Sequence, residues 1–486
     1  MNAAVVRRRA SGSLLLALIC IAQFMVILDV AIVNVALPEI KGSLHFSTTG
    51  LQWVVNAYTL TFAGLLMLGG RASDLLGRRR VLLAGVFIFT FASLACALAT
   101  SPATLIGARA IQGIGGAIIS PASLAIVTTS FAEGRERNRA LGAWGAIGGI
   151  GGASGVLLGG ILTQGLGWGW IFAVNVPVGI AVLVLAPRVI PEGRAELGHR
   201  HFDVSGALLV TGGFIALVYG IVRTSALGWG ALGTLGPIAV GVVLLGLFVL
   251  VEGRFAKAPL VPLSIFRLPR LRAANTVILV LYGGVFSMWF FLSLYLQQVL
   301  GDNPISTGLA FLPTTLAVVA TSMLAPRLIA SIGARTTIAI GMTSTALGLL
   351  ELTLVKPGDS LAIILPGGIL GAAGLGLTLV PATVTAVQGV PRALAGAASG
   401  LLNTSRLLGG ALGLAILTTL ADTRTRNALA AGTPRLRALT DGFSEAFLVA
   451  GLLVAVGIGV ALYLLRTPAA RAEPDPVGSA APEPTA

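Results

Sequence analysis

The sequence contains few charged residues, histidines and cysteines for a chain of its length. Only 10% of the 486 residues are charged, and there are 3 histidines and 2 cysteines. Cys20 and Cys96 both lie inside apolar segments, which excludes a framework of disulfide bonds. The histidines all fall in predicted loops, so they offer neither a metal cluster nor a general base within the apolar segments. We therefore expect no metal site, no cofactor and no enzymatic activity.

Lysine is also scarce, and the positions of the lysines exclude one energy source. The three lysines are Lys41, Lys257 and Lys356, and none of them follows a glycine. A phosphate-binding loop of the Walker A type requires Gly-Lys followed by Ser or Thr. The chain therefore cannot hydrolyse ATP by that route.

Apolar residues are abundant. They make up 56% of the chain, and the mean hydropathy is +0.94, which is too high for a water-soluble domain. Apolar runs of about twenty residues recur from Leu14 to Leu465, and each is long enough to cross the hydrocarbon core as a helix. They predict an all-α integral membrane protein with about 14 transmembrane helices.

The basic residues that give the net charge of +14 are concentrated on one predicted side of the membrane. The basic residues concentrate in alternate loops, on the same side as Arg7, Arg8 and Arg9. This is the pattern of the positive-inside rule, and it predicts a multi-pass protein of the bacterial inner (cell) membrane with both termini in the cytoplasm. Because this distribution accounts for the positive charge, we expect no nucleic-acid partner.

The first apolar run is too long for a cleaved signal peptide, so we expect it to be a retained helix.

A short basic motif occurs twice in the chain. Its Arg, Gly and Arg positions recur 256 residues further on: Arg71, Gly77 and Arg79 return as Arg327, Gly333 and Arg335. Eight predicted helices separate the two copies. This spacing predicts a six-helix half, two inserted helices and a second six-helix half, the two-half organisation of secondary transporters.

The predicted boundaries follow from this repeat and from the polar stretches. They are residues 1–12 for a cytoplasmic N-terminus, 13–190 for the N-terminal six-helix bundle, 191–252 for the inserted two-helix segment, 253–466 for the C-terminal six-helix bundle and 467–486 for a disordered cytoplasmic tail.

Several motifs resemble the fourteen-helix drug:proton antiporter family of the major facilitator superfamily, typified by EmrB and QacA. They are Leu28 to Pro38 on the first helix, Gly70 to Arg80 after the second, Leu105 to Ala117 on the fourth, and Gly155 to Gly160 on the fifth, where Val156 replaces the usual proline. The resemblance implies a major facilitator fold and a proton-coupled exporter of lipophilic, often cationic, drugs. A monomer, with protons, small lipophilic substrates and the lipid bilayer as partners, is expected. The alternatives are an exporter of one endogenous metabolite or antibiotic, and a proton-coupled importer.

Asp29 is the only carboxylate placed deep in a predicted span. Ionisable side chains inside the membrane are energetically costly, so those that occur there usually have a function. Arg109 on the fourth helix lies at a similar depth and is its natural partner. We expect the two to carry proton coupling, although a permanent structural ion pair is the alternative. Arg406 has no deep acid left to pair with, so it either binds backbone carbonyls or contacts an anionic substrate.

The remaining candidate residues fall into three sets. A cytoplasmic gating loop is expected at Gly70, Asp74, Gly77, Arg78 and Arg79, with a simple topogenic anchor as the alternative. Close helix packing is expected at Gly151, Gly155, Gly159 and Gly160. Substrate contacts are expected among Asn34, Trp53, Asn56, Tyr58, Gln112, Tyr282, Trp289, Tyr295, Asn403 and Arg406, many of which are equally suited to packing or to an interfacial aromatic belt.

Overall fold

The computed structural model describes residues 3–132, 135–192, 203–256, 259, 263–388, 390 and 395–465. These residues form helices joined by short loops, without a strand among them. The helices are α1 Ala3–Ser43, α2 Thr48–Leu76, α3 Arg78–Ala97, α4 Pro102–Ser130, α5 Arg135–Leu166, α6 Trp170–Ala173, α7 Asn175–Val189, α8 Val204–Leu227, α9 Leu232–Arg254, α10 Pro269–Gln298, α11 Pro304–Ile332, α12 Ala334–Glu351, α13 Leu361–Val387, α14 Ala395–Ala430 and α15 Arg435–Leu464.

Within the described residues, thirteen helices are long and apolar enough to cross a membrane. The predicted fifth crossing, α5, is not among the thirteen, and its described residues include the apolar stretch Ile150–Leu166. The helix itself is 32 residues long, which at 1.5 Å per residue exceeds the thickness of the hydrocarbon core. With α5 included, the crossings reach the predicted fourteen.

The first helix starts earlier than predicted, and two predicted segments lie outside the described residues. The first helix begins at Ala3 rather than near Leu14, so the segment predicted as a cytoplasmic N-terminus is mostly helical. The predicted disordered tail, residues 467–486, lies outside the described residues, as do residues 193–202 before the inserted pair.

The predicted sixth crossing is divided into α6 and α7 at Val174. Pro177 explains the division, because it lacks the N–H that would bond to the carbonyl of Ala173 four residues earlier. The short α6 therefore ends where that bond is missing, and α7 continues across the membrane.

Helix packing brings distant parts of the chain together. In the first half of the chain, α1 packs against α5 and α7, and α2 and α3 pack against α4; in the second half, α10 packs against α14 and α15, and α13 packs against α11 and α12. Contacts between the two sets run from α5 to α11, from α2 to α14 and from α1 to α10. The predicted domain boundaries themselves stay predictions.

The inserted helices α8 and α9 pack against each other, and α8 also packs against α2 and α14. A Cβ at Gly64 of α2 would overlap the side chain of Thr211 on α8. Trp53 of α2 contacts Tyr219 of α8, with 6.3 Å between the ring centres. On the other side, the hydroxyl of Thr419 on α14 donates to the carbonyl of Ile221 at 3.4 Å. The inserted pair therefore lies along the α2–α14 seam.

The two copies of the basic motif take the same local structure. Gly77 separates α2 from α3 with φ 110°, and Gly333 separates α11 from α12 with φ 82°. Residues with a Cβ rarely adopt positive φ, so glycine is the residue suited to both junctions. The sequence predicts a longer turn from Gly70 to Arg80, and this is wrong, because α2 continues to Leu76 and only Gly77 lies between the two helices.

Candidate transport site

A buried polar network connects α1, α3 and α4. A guanidinium nitrogen of Arg109 is 2.5 Å from Oδ2 of Asp29, and it also donates to Oε1 of Gln112 at 2.6 Å. The amide of Gln112 donates to Oδ1 of Asp29 at 2.7 Å and to the hydroxyl of Ser93 at 2.8 Å. Both carboxylate oxygens of Asp29 therefore have a hydrogen-bond donor.

Further contacts hold the Arg109 side chain in place. Its Nε donates to the carbonyl of Val54 on α2 at 2.8 Å. Its guanidinium carbon lies 4.3 Å from the centre of the Tyr58 ring and 5.6 Å from that of the Phe172 ring, so the cation contacts two aromatic rings. The side chain of Arg109 is 1% exposed and that of Asp29 is 0% exposed, so this charge pair is sealed from its surroundings.

Small residues on α4 and α5 make this network possible. A Cβ at Gly113 of α4 would overlap the Thr61 hydroxyl and the carbonyl of Tyr58, so only a glycine lets α2 approach Arg109 this closely. On α5, a Cβ at Gly155 would lie 2.6 Å from the Cβ of Ala31 on α1. The helix that carries Asp29 is therefore packed directly on the glycine face of α5.

The four predicted packing glycines divide between two partners. Gly151, Gly155 and Gly159 face α1. Gly160 faces α11, where its Cβ would lie 2.5 Å from the carbonyl oxygen of Pro304. The carbonyl of Val156 lies 2.7 Å from the Cβ position of Gly308 on α11. The helix that carries the antiporter-like motif therefore contacts both α1 and the second half of the chain.

The two halves are in contact at the ends that the charge distribution predicts to face outward. Near the outer end of α10, the Ser293 hydroxyl donates to the carbonyl of Asn34 at 2.6 Å, and the amide of Gln297 donates to the carbonyl of Val35 at 2.8 Å. The amide nitrogen of Asn34 itself donates to Val30 of its own helix at 3.1 Å. The Asn34 side chain is thus engaged within α1, and its backbone closes the outer seam.

The other predicted substrate residues lie in different environments. Asn56 is 0% exposed, and its amide donates to Gln52 of the same helix at 3.3 Å. Tyr295 is buried near the outer end of α10, where its hydroxyl donates to the carbonyl of Lys356 at 2.6 Å. Trp289 and Asn403 are half-buried. The predicted set therefore does not form one continuous binding surface in this structure.

Tyr58 and Arg406 lie on two helices that pack against each other across the two halves, α2 and α14. Arg406 of α14 is half-buried, and its guanidinium carbon is 5.7 Å from the centre of the Tyr282 ring on α10. Tyr58 of α2 contacts the other buried cation, Arg109.

The segment that is predicted to act as a gate is anchored at the end of α7. Arg79 donates to the carbonyls of Pro187 and Ile190 at 3.2 Å each, and its Nε is 3.5 Å from a carboxylate oxygen of Glu192. Arg80 reaches the same carboxylate at 3.6 Å. Arg78 also has a partner in the structure, and the side chain of Asp74 lies outside the described part of the chain.

Comparison with known protein families identifies the family of this helical chain. The family model of the Major Facilitator Superfamily matches residues 19–414. The chain belongs to the Major Facilitator Superfamily. Members of this superfamily are membrane transporters, so the protein is a multi-pass transporter and not an enzyme.

Several relatives within the superfamily are similar over most of their length. The chain is 41% identical to the cephamycin export protein CmcT of Amycolatopsis lactamdurans over 465 residues, which cover 94% of this chain and 91% of that protein. It is 38% identical to the puromycin resistance protein pur8 of Streptomyces alboniger, over 92% of this chain and 88% of that protein.

Solved structures of this superfamily share the fold at low sequence identity. The nucleoside transporter NupG superposes with a TM-score of 0.66 at 12% identity, covering 93% of this chain and 99% of that one. A bacterial homologue of the lysosomal transporter Spinster, in an inward-facing and unoccupied conformation, gives a TM-score of 0.64 at 16% identity, over 94% and 97% of the two chains. These similarities show the major facilitator fold.

Several members of the transporter's polar network are absent from the sequence prediction. Ser93, Phe172 and the carbonyl of Val54 belong to no motif of their own. Glu192, which pairs with Arg79 outside this network, lies in the segment 191–252 that is predicted only to hold the inserted helices. Ser93 lies three residues after Thr90 in a mainly apolar part of α3. Residue type alone does not distinguish the two, so only the packing of α3 on α4 identifies Ser93 as the partner of Gln112.

Proposed function

We propose that this transporter exports small lipophilic antibiotics or drugs in exchange for protons, and that Asp29 is the residue that is protonated. The proposal includes membership of the fourteen-helix drug:proton antiporter family, a position in the bacterial inner membrane, and both termini in the cytoplasm. Relatives named for antibiotic export and resistance support the export of drugs. The observation that carries proton coupling is the sealed Asp29–Arg109 pair.

The geometry favours coupling through helix movement over direct competition at the carboxylate. Asp29 is 0% exposed and both of its oxygens accept hydrogen bonds from the protein. A guest between the two halves therefore does not touch the carboxylate in this arrangement. Protonation of Asp29 removes its charge, and Arg109 then loses the counter-ion that ties α4 to α1. The change in packing between these helices is what transmits the protonation state.

The cycle follows from this step. With Asp29 ionised and the outer seam closed, a substrate enters from the cytoplasmic side. The outer seam then opens, Asp29 takes a proton from the outside, and the substrate leaves. After the outer seam closes again, the proton passes from Asp29 to the cytoplasm and the ion pair with Arg109 re-forms. The segment around Gly77 and Arg79, anchored to α7, serves as the cytoplasmic gate.

A transporter of one antibiotic is the second candidate. Relatives named as a cephamycin export protein, a tetracenomycin C resistance and export protein and a probable actinorhodin transporter each carry the name of a single compound. A panel of chemically unrelated compounds separates the two candidates, because a specific exporter responds to one scaffold and a multidrug exporter to many.

The test of proton-coupled export uses inside-out vesicles and a dye whose fluorescence is quenched by the imposed pH gradient. Addition of a substrate is expected to restore fluorescence in vesicles that contain the wild-type protein, because substrate entering the lumen exchanges for protons. Export that continues at the wild-type rate after the pH gradient and the membrane voltage are both abolished would exclude a proton-driven mechanism.

A further inference from the structure

Arg406 lies where the two halves of the transporter meet. It lies in the N-terminal half of α14, and its guanidinium contacts the ring of Tyr282 on α10. A Cβ at Gly409, one turn later, would collide with the α10 backbone at Leu279, so α14 and α10 are tightly packed next to Arg406. Two residues before Arg406, the hydroxyl of Thr404 donates to the carbonyl of Ala63 on α2 at 3.4 Å. Arg406 therefore lies between a helix of the first half and a helix of the second.

The charge of Arg406 is not neutralised by an acid within the described residues. None of the ion pairs found there includes it. Arg109, by contrast, is paired with Asp29 and bonded to two further acceptors. A cation inside the membrane without a counter-ion is unfavourable, and the contact with the Tyr282 ring offsets only part of that cost. An anion bound at Arg406 would offset the remaining cost of this unpaired charge.

A second hydrogen-bond donor lies on the helix that packs against α14 from the first half of the chain. Tyr58 belongs to this helix, α2, and its hydroxyl is buried without a hydrogen-bond partner in the described part of the chain. Buried hydroxyl groups are normally hydrogen-bonded. The Tyr58 hydroxyl and the Arg406 guanidinium come from opposite halves, so a ligand that contacts both would bridge the two halves.

The net charge presented to such a ligand is positive. The charges of Asp29 and Arg109 cancel each other in a sealed pair, whereas Arg406 remains half-buried. We propose that Arg406 binds the carboxylate of an amphipathic organic anion, with the Tyr58 hydroxyl as a second donor and the Tyr282 ring against the apolar part. The planar guanidinium suits this role because its paired N–H groups match the two oxygens of a carboxylate. The inference names the substrate class of the proposed export site and so rests on the proposed function.

The test measures binding, without a proton gradient, to the purified transporter. The probes are N-dansyl-leucine, which carries a carboxylate, and N-dansyl-leucinamide, which has nearly the same shape and no charge at neutral pH. Energy transfer from tryptophan to the dansyl group reports the affinity. The wild type is expected to bind the carboxylate roughly tenfold more tightly or better, as hydrogen bonds to charged groups imply. Arg406→Gln is expected to abolish this ratio and to leave the affinity for the amide unchanged.

Two further variants sharpen the assignment. Arg406→Lys keeps the charge and loses the planar fork, so its preference for the carboxylate is expected to fall between those of the wild type and Arg406→Gln. Arg223→Gln is the matched control, because Arg223 also contacts a tyrosine, with 5.3 Å between its guanidinium carbon and the Tyr219 ring, but it is exposed on α8. This control is expected to bind both probes as the wild type does.

Three results would overturn the assignment. They are equal affinity of the wild type for the two probes, failure of the wild type to bind the carboxylate, and an equal loss of both affinities in Arg406→Gln, which would identify a structural role. The proposed proton coupling fails separately. Gradient-independent export with an intact preference for the carboxylate would refute the coupling and leave the anion site standing.

Discussion

Replacement of Asp29 by asparagine tests the centre of the mechanism. The side chains have the same shape, but the substitution removes the counter-ion of Arg109, which is 1% exposed. Loss of one partner of a buried ion pair costs about 3–5 kcal/mol, and each 1.4 kcal/mol corresponds to about a tenfold change in an equilibrium. In the variant, the helix arrangement seen here should therefore be disfavoured by roughly two to four orders of magnitude.

The functional result follows from the lost proton site. In inside-out vesicles, Asp29→Asn is expected to abolish substrate-induced recovery of the dye fluorescence, because the asparagine cannot take up and release a proton. The control is Glu445→Gln, which breaks the partly exposed pair with Arg424, 3.5 Å apart. Exposed pairs contribute about 0–1 kcal/mol, so this variant is expected to retain coupling.

A double variant separates charge from packing. Asp29→Asn and Arg109→Met are each expected to lower the thermal unfolding temperature of the purified protein, because each leaves one polar group buried without its partner. The combination is expected to recover much of that loss, since replacement of both partners of a buried pair is often neutral. It should nevertheless remain uncoupled. Proton exchange at the wild-type stoichiometry in Asp29→Asn would refute the assignment of Asp29.

Three further predictions concern packing and gating. Gly155→Leu is expected to lower the unfolding temperature, because its Cβ would lie 2.6 Å from that of Ala31 and overpacking costs about 1–3 kcal/mol. Gly165→Leu is the control and should have no such effect, because no atom lies within 4 Å of the Cβ position there. Equal losses in the two variants would contradict the packing argument. Gly77→Ala is expected to destabilise the α2–α3 junction by about 1–3 kcal/mol because of its φ of 110°, measured by thermal unfolding, and an unchanged unfolding temperature would argue against the strain. Ser293→Ala combined with Gln297→Leu removes two hydrogen bonds of the outer seam, each of which contributes about 1 kcal/mol. Distances between spin labels at the outer ends of α1 and α10 are therefore expected to lengthen. An unchanged distance distribution would show that other contacts close the seam.

The sequence was sufficient to predict features that depend on one helix at a time. Long apolar runs identify the membrane helices because the bilayer requires backbone groups to be satisfied within each segment. The pairing of Asp29 with Arg109 was predictable as well, because the two residues lie at similar depth and an unpaired charge in the membrane is unfavourable. The ion pair in the structure is the geometry that this reasoning expects, while its role in proton coupling stays a prediction.

Features that depend on how helices meet could not be predicted in the same way. The Val54 carbonyl binds Arg109 because α2 approaches α4 at Gly113, and no residue type marks a backbone carbonyl as a ligand. Tyr295 resembles a substrate contact by residue type, yet its hydroxyl is occupied by the Lys356 carbonyl. The partnership of Arg79 with Glu192 joins α3 to the end of α7, two parts of the chain that only the fold brings together.

The position of Asp29 on α1 indicates how a change in its charge can reach the outer seam. Asn34, whose carbonyl accepts the hydrogen bond from Ser293, lies five residues further along the same helix, about 7.5 Å at 1.5 Å per residue. Between the two, α1 is held against α5 by Gly155 and Gly159, where closely packed backbones allow little local adjustment. A shift of α1 at Asp29 is therefore passed on as movement of the whole segment. The hydrogen bonds from α10 break or form with that movement, which links protonation in the first half to opening between the halves.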